Sequence, residues 1–369
     1  MLHRGWDEQT LMPYKLVLFC RRGIYLLVFL PALLCVGVLY QVLAESIDMH
    51  HHPPPGRLVD VGGYRLHIYC LGQGTPTVIL EAGFMQGVLA WTLVQPKVAQ
   101  FTRVCAYDRG GVGWSDLGTR PRTPAQIASE LHTLLSVSEI TGPYVLVGHS
   151  IGGIFIRAYT RAYPNEVIGM VLVDARPEES WAWTPRGFVW KDGLHQFDLG
   201  AYYRPVLARI GLMRLMGMPS GFVPLLPSSV RDAATAVGLR AVAYDWLLYD
   251  GTAVKEAEED VQALGQLPDI PLLVLSALPP SGVWSGQTRA WQNHLVKLSP
   301  QGKQILVDGS GHFINLRRPE IVIDAIRQVV EAARRNLSRS YLETQSGETT
   351  KDSRSSGLSA VENAADTSR

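Results

Sequence analysis

Surplus charge is the first thing this sequence lacks: 34 Lys and Arg stand against 33 Asp and Glu, a formal net charge of +1. Without a basic face, nothing argues for nucleic acid as a partner. Cysteine is nearly as scarce, four in 369 residues. Cys20 and Cys35 lie in or beside an apolar N-terminal block, and the remaining two, Cys70 and Cys105, do not establish a bridge from sequence. We expect both to be buried, unpaired and inert, although export would carry them into a compartment that allows pairing. Phosphate loops are missing as well. Asp108-Arg109-Gly110-Gly111-Val112-Gly113 fits no P-loop spacing and opens no helix, so Asp108 and Arg109 read as braces under nearby loops. Carboxylates are missing too where a histidine would need one: from Leu275 to His312 the only acid is Asp308.

What is present begins with the apolar block. Gly23–Ala44 carries no charge and one strongly polar side chain, Gln41. At a helical rise of roughly 1.5 Å per residue it is long enough to cross a hydrocarbon core. Arg4, Lys15, Arg21 and Arg22 precede it, whereas Glu45 and Asp48 follow. By the positive-inside rule the N-terminus is then cytoplasmic and the bulk of the chain non-cytoplasmic. The length of the run favours an uncleaved signal anchor; cleavage after Val42-Leu43-Ala44, giving a secreted domain, is the competing reading. This divides the start of the chain into a cytoplasmic segment, 1–22, a transmembrane helix, 23–44, and a linker, 45–55. His50-His51-His52-Pro53-Pro54-Pro55 makes that linker polar and stiff, a solvated spacer rather than a metal site.

Strand and helix then alternate. Arg57–Asp60 and Tyr64–Cys70 read as a hairpin around Gly62-Gly63, and Thr77–Leu80 and Arg103–Tyr107 as short buried strands with a helix candidate, Trp91–Phe101, between them. Thr123-Pro124-Ala125-Gln126 is a helix start with cap, N1 proline and capping-box Gln. Further strands follow at Met170–Val173, Pro271–Leu275 and Gln304–Val307, with helices at Thr288–Leu298 and Pro319–Arg335. The fold class is α/β, a mostly parallel central sheet with helices on both faces. Its core comes in two parts, 56–175 and 268–336. Residues 176–267, rich in Trp, Leu, Met and Tyr and mostly helical by pattern, interrupt it as a cap. The tail, 337–369, reads as disordered.

The chemistry centres on Tyr144-Val145-Leu146-Val147-Gly148-His149-Ser150-Ile151-Gly152-Gly153, an apolar strand ending in Gly-x-Ser-x-Gly ahead of a helix. Small residues two before and two after Ser150 permit a strained strand-to-helix turn that exposes the hydroxyl as nucleophile. A serine needs a base and an acid to orient it. His312, in Gly309-Ser310-Gly311-His312-Phe313 after the last strand, is the base candidate among ten histidines. His149, next to Ser150, reads as bland, because the turn directs neighbouring side chains apart. Asp174, at the end of Val171-Leu172-Val173, is the first choice of acid; Asp308 is the alternative and Glu178 a distant third. Backbone N–H groups of Phe84, after the third strand, and of Ile151 are the oxyanion donors.

Leu80–Phe84, Val104–Ser115, Val147–Gly153, Val171–Ala175 and Gly311–Phe313 together resemble the serine-nucleophile branch of the α/β-hydrolase superfamily. The resemblance implies the order nucleophile, acid, base at Ser150, Asp174 and His312, with the acid after the sixth strand and a helical cap. The family's usual His-Gly at the third strand is here Ala82-Gly83. Relatives that open epoxides or remove halide use Asp as nucleophile, and Ser150 argues against those reactions. The expected activity is cleavage of a carboxylic ester or related acyl bond, on a small or medium hydrophobic acyl substrate, with no metal and no organic cofactor implied. Amide, C–C or peracid chemistry with the same residues, and a non-catalytic binding protein of this shape, are the alternatives.

Overall fold

Strands β3 (Thr77–Glu81), β4 (Val104–Asp108) and β5 (Tyr144–His149) are buried along their whole length, and β6 (Val167–Val173) at all but Ile168. Runs of this kind, rich in Val, Ile and Leu, need cover on both faces. The computed structural model supplies it. It describes residues 8–119, 122–175, 177, 181–184, 187–190, 200–217, 221–245, 256, 259–279 and 286–339. With β1 (Arg57–Asp60), β2 (Arg65–Leu71), β9 (Leu272–Ala277) and β10 (Gly302–Val307), these strands form one sheet in the order β1-β2-β4-β3-β5-β6-β9-β10. β2 runs antiparallel to β1 and β4, and every other pair is parallel.

Alternation along the strands sorts the two core layers. Leu146, Met170, Leu172 and Val274 pack under the helices Pro124–Val137 and Gly152–Ala162, on Leu131, Leu135, Phe155 and Tyr159. Val145, Val147, Val171 and Val173 face the other way, onto Trp91 and onto Val322, Ile326 and Val329 of the helix spanning 319–339. Burying each of these side chains contributes roughly 1.5–3 kcal/mol. From β3 the chain passes to β4 on one side and from β4 crosses to β5 on the other. The loops beyond β3 and β5 therefore diverge and leave a crevice at the carboxyl ends of the strands.

Several local expectations hold and several do not. Thr123 caps its helix by accepting from the Gln126 N–H, but the Gln126 side chain bonds Thr119 and Glu130 rather than closing a capping box. Between β3 and β4 stand a 3-10 turn, Val88–Trp91, and a single α turn, Gln95–Val98, instead of one helix, with Pro96 lacking the N–H a longer helix would use. Cys70 and Cys105 are joined in a disulfide, correcting the expectation that they stay unpaired. They are directly opposed in the β2–β4 register, which brings the two sulfurs together. The cap region is not helical throughout: β7 (Trp181–Thr184) and β8 (Gly187–Trp190) make an antiparallel hairpin before the helices Gly200–Arg209, Leu212–Leu215 and Ser228–Gly238. Glu178, the tail beyond residue 339 and the side chains of Trp181, Trp183 and Trp190 lie outside the described residues.

The N-terminal helix runs from Glu8 to His51. It contains the one described helix long and apolar enough to cross a membrane, Leu27–His51, with mean hydropathy 2.3. Residues 45–51 are therefore helical where a linker was expected. No proline or glycine falls between Ala44 and Pro53, and the last turns are held by the cap: Arg240 Nε lies 3.2 Å from Glu45, and Arg214 pairs with Asp48.

Candidate active site

The elbow forms where the motif predicts it. Ser150 follows β5 directly with φ +55°, its N–H donating 3.0 Å to the Val173 carbonyl. The flanking glycines are required by contact. A Cβ on Gly148 would lie 2.8 Å from the Gly152 carbonyl, and one on Gly152 2.7 Å from that of Glu81. Left-handed backbone at a side-chain-bearing residue costs about 1–3 kcal/mol and persists only where its surroundings enforce it. Among the described residues four non-glycines adopt it, and three of them, Met85, Ser150 and Asp174, lie on the loops around this crevice.

His312 reaches the elbow from the loop after β10. Its Nε2 lies 2.9 Å from Ser150 Oγ and its Nδ1 2.7 Å from Asp174 Oδ2. Asp174 follows β6, with its N–H on the Leu275 carbonyl at 2.7 Å and its second carboxylate oxygen accepting from the Ala277 N–H at 2.9 Å. The β6–β9 pairing thus aims the carboxylate from two directions. Asp308 is exposed, and among the described residues its backbone carbonyl is what is engaged, accepting from Arg318 at 3.1 Å. Of the two candidate acids, the structure brings Asp174 to the imidazole.

The two expected oxyanion donors sit on segments that adjoin the elbow. Ile151 follows Ser150 directly at the head of the helix Gly152–Ala162, whose N-terminus carries partial positive charge. Phe84 follows the end of β3, and that strand end is in register with the elbow, Glu81 opposite Gly148. Arg109 holds this segment. It donates to the Ala82 carbonyl at 2.7 Å and the Gly83 carbonyl at 2.6 Å, and pairs with the buried Glu81, which also accepts from Tyr107. Burial pushes the Glu81 carboxyl up from its ordinary value, opposed by the Arg109 charge. Asp108 does the same work next door, accepting from the Val88 and Trp114 N–H groups at 2.8 and 3.1 Å and facing His67 Nδ1 at 2.8 Å.

His149 is the residue that sequence reasoning undervalued. It is fully buried, and its Nε2 lies 2.9 Å from the carbonyl of His312 itself. Burial, and then the neighbouring His312, push its pKa down to about 3, so the ring is neutral at ordinary pH. A neutral imidazole has one N–H, and a carbonyl only accepts, so Nε2 carries the proton. Nδ1 lies 3.1 Å from Gln86 Oε1, itself an acceptor, so the ring's single proton serves the His312 carbonyl. His149 fixes the backbone of the base loop. Local pattern contains no signal for this, because it depends on that loop crossing the end of β5.

Among the described residues no group of three or more His, Cys, Asp or Glu stands close enough to hold a metal. A small cavity between cap and loops is lined by Met85, Val88, Trp114, Phe222, Val237 and Ala243; neither Ser150 nor His312 is in its wall.

The sequence model described as "Alpha/beta hydrolase family" matches residues 78–325. An uncharacterized protein of Mycobacterium bovis is 27% identical over 310 residues, 76% of this chain and 82% of its own. An uncharacterized vacuolar membrane protein of Saccharomyces cerevisiae is 31% identical over 134 residues, 31% of this chain and 21% of its own. The chain spans only 20% and 28% of two other curated relatives at similar identity, a probable transporter of Hormonema carpetanum and an uncharacterized Schizosaccharomyces pombe protein. Among solved structures, a putative lipase of Acinetobacter baumannii superposes with TM-score 0.56 at 18% identity, covering 79% of this chain and 97% of its own. An esterase of Thermogutta terrifontis does so with TM-score 0.52 at 22% identity, covering 75% and 99%. At such identities the likeness is one of fold.

Proposed function

This chain belongs to the alpha/beta hydrolase family, and from that premise we propose that it cleaves a carboxylic ester or related acyl bond through an acyl-enzyme. Ser150 Oγ attacks the acyl carbon while His312 Nε2 takes its proton, and the carbonyl oxygen gains negative charge beside the Phe84 and Ile151 N–H groups. The tetrahedral species collapses as His312 returns the proton to the leaving alcohol. A water, deprotonated by the same nitrogen, then releases the acid and restores Ser150. Asp174 accepts from Nδ1–H, which keeps the Nε2 lone pair turned to the serine and steadies the transient imidazolium.

One observation carries this reading: the continuous run Ser150 Oγ, His312, Asp174 at 2.9 and 2.7 Å, anchored at its far end by the Ala277 N–H. The test is a rapid-mixing experiment with p-nitrophenyl butyrate. We expect a burst of one equivalent of nitrophenol per chain and a matching acyl adduct by intact mass, both missing in Ser150→Ala. Turnover without a burst or adduct, undiminished in Ser150→Ala, rejects the mechanism.

We also read Gly23–Ala44 as a membrane anchor with the hydrolase on the non-cytoplasmic side. Its apolar exposure supports the anchor, and the Cys70–Cys105 bridge supports an oxidising compartment.

A further inference from the structure

The cap carries an apolar face that the hydrolase reading does not use. On the helix Gly200–Arg209, Tyr203 and Val206 are 49% and 56% exposed; on the next short helix and its cap, Leu212, Leu215 and Met216 are 38%, 67% and 51% exposed. Large apolar side chains exposed on two adjoining helices mark an interaction surface. Its position identifies the partner. Between the two helices the chain turns at Gly211 against the N-terminal helix: a Cβ on Gly211 would lie 2.6 Å from the Tyr40 ring, and one on Gly37 2.6 Å from the Ile210 carbonyl. Gly37 lies seven residues inside the uncharged run that ends at Ala44, a depth of roughly 10 Å at helical rise. Interfacial helices bury to about 5–10 Å.

Polar groups of the N-terminal helix respect the same level. Gln41, the strongly polar residue of that run, is 2% exposed and donates 2.9 Å to the Leu239 carbonyl of the cap, with Arg214 Nε 3.3 Å from its oxygen. A side-chain amide in hydrocarbon is costly without such partners. Beyond Ala44, where headgroups and water begin, the contacts become ionic: Glu45 with Arg240 and Asp48 with Arg214. The inner sides of the same cap helices, Ala208 and Met213, pack with Met85, the residue after Phe84.

We infer that the face Tyr203, Val206, Leu212, Leu215 and Met216 is seated in the lipid bilayer beside the anchor, so that the site draws a membrane-partitioned acyl ester from the lipid rather than from water. This rests on the anchor and hydrolase readings above. Only one layer of cap then separates lipid from the loop that carries the Phe84 N–H.

Depth-dependent fluorescence of the full chain in phosphatidylcholine vesicles tests it. The environment-sensitive label NBD is placed at Leu215→Cys in a Cys20→Ser, Cys35→Ser background and, as the anchor control, at the native Cys35 in Cys20→Ser; the Cys70–Cys105 pair stays intact. Nitroxides near the headgroup are expected to quench the label at Leu215, and nitroxides deep on the acyl chain the label at Cys35, with aqueous dithionite reducing neither quickly. Quenching at Cys35 with dithionite access at Leu215 overturns the seated cap and leaves the anchor standing. Access at both positions removes the anchor and the inference together. Protection at Leu215 without lipid quenching means that protein, such as a second copy, covers the face, and also overturns it.

A kinetic arm reads the substrate class. Val206→Glu with Leu215→Glu is expected to lower hydrolysis of vesicle-borne p-nitrophenyl palmitate about tenfold while leaving water-soluble p-nitrophenyl acetate unchanged. Equal loss on both esters, or none on palmitate, contradicts delivery from the bilayer.

Discussion

The crevice floor and the cap above it are held by opposite means. The floor is backbone strain and buried charge: Ser150 and Asp174 at φ +55° and +42°, and Arg109 and Glu81 with side chains 2% and 1% exposed. The cap is tied to the N-terminal helix by ion pairs that water reaches, Arg214–Asp48 at 12% and 26% exposure and Arg240–Glu45 at 13% and 24%. A buried pair is costly to break from one side, whereas half-buried pairs that water reaches contribute less and are partly screened by salt. Chemistry is thus built where parts have one arrangement, and access where parts can give way.

The sharpest break of the floor is Ser150→Ala. It should lower kcat by roughly 10⁴–10⁶-fold with an unchanged circular dichroism spectrum; an effect confined to KM would put the serine in binding alone. Asp174→Asn should follow with a loss of roughly 10³–10⁴-fold, because the imidazole then loses its enforced tautomer. Asp308→Asn should stay within about twofold, and a greater loss there than at Asp174 overturns the choice of acid.

Arg109→Met strips Glu81 of its partner and releases the Ala82 and Gly83 carbonyls. We expect stability to fall by about 3–5 kcal/mol in urea titrations. Retained stability would mean that the floor does not depend on this pair.

His149→Gln should reduce kcat about tenfold by loosening the His312 loop, with KM little changed. It also alters the acid response. The folded ring titrates near 3 instead of 6.5, so between those values the unfolded chain binds a proton that the native state does not. The stability His149 contributes is complete above about pH 6.5 and lost as pH falls toward 3. Thermal midpoints between pH 4 and 7 should therefore fall less steeply in the variant than in the parent.

The smallest effect belongs to the cap. Glu45→Gln should cost no more than about 1 kcal/mol and should vanish at high salt. A larger, salt-insensitive loss would make the cap as rigid as the floor and erase the contrast.

Legibility in sequence follows the same division. The elbow is readable because its demands are local, a buried strand and glycines two either side of Ser150 where backbone passes close. Asp174 and His312 are readable as ends of strands that must converge at one sheet edge. The Cys70–Cys105 bridge is not, because it depends on the β2–β4 register. His149 is hidden for a related reason, its partner being the carbonyl of a residue 163 positions away. The helical run from 45 to 51 escapes pattern reading because its contacts with Arg214 and Arg240 are tertiary.

The central claim is that Ser150 is chemically activated by His312. A fluorophosphonate probe tests it without knowledge of the substrate, by comparing labelling rates of the wild-type chain, Ser150→Ala and His312→Ala. The account predicts one adduct per chain on Ser150, none in Ser150→Ala, and labelling slowed by orders of magnitude in His312→Ala. Labelling of His312→Ala at the wild-type rate, or a folded wild-type chain that takes up no probe, would contradict it.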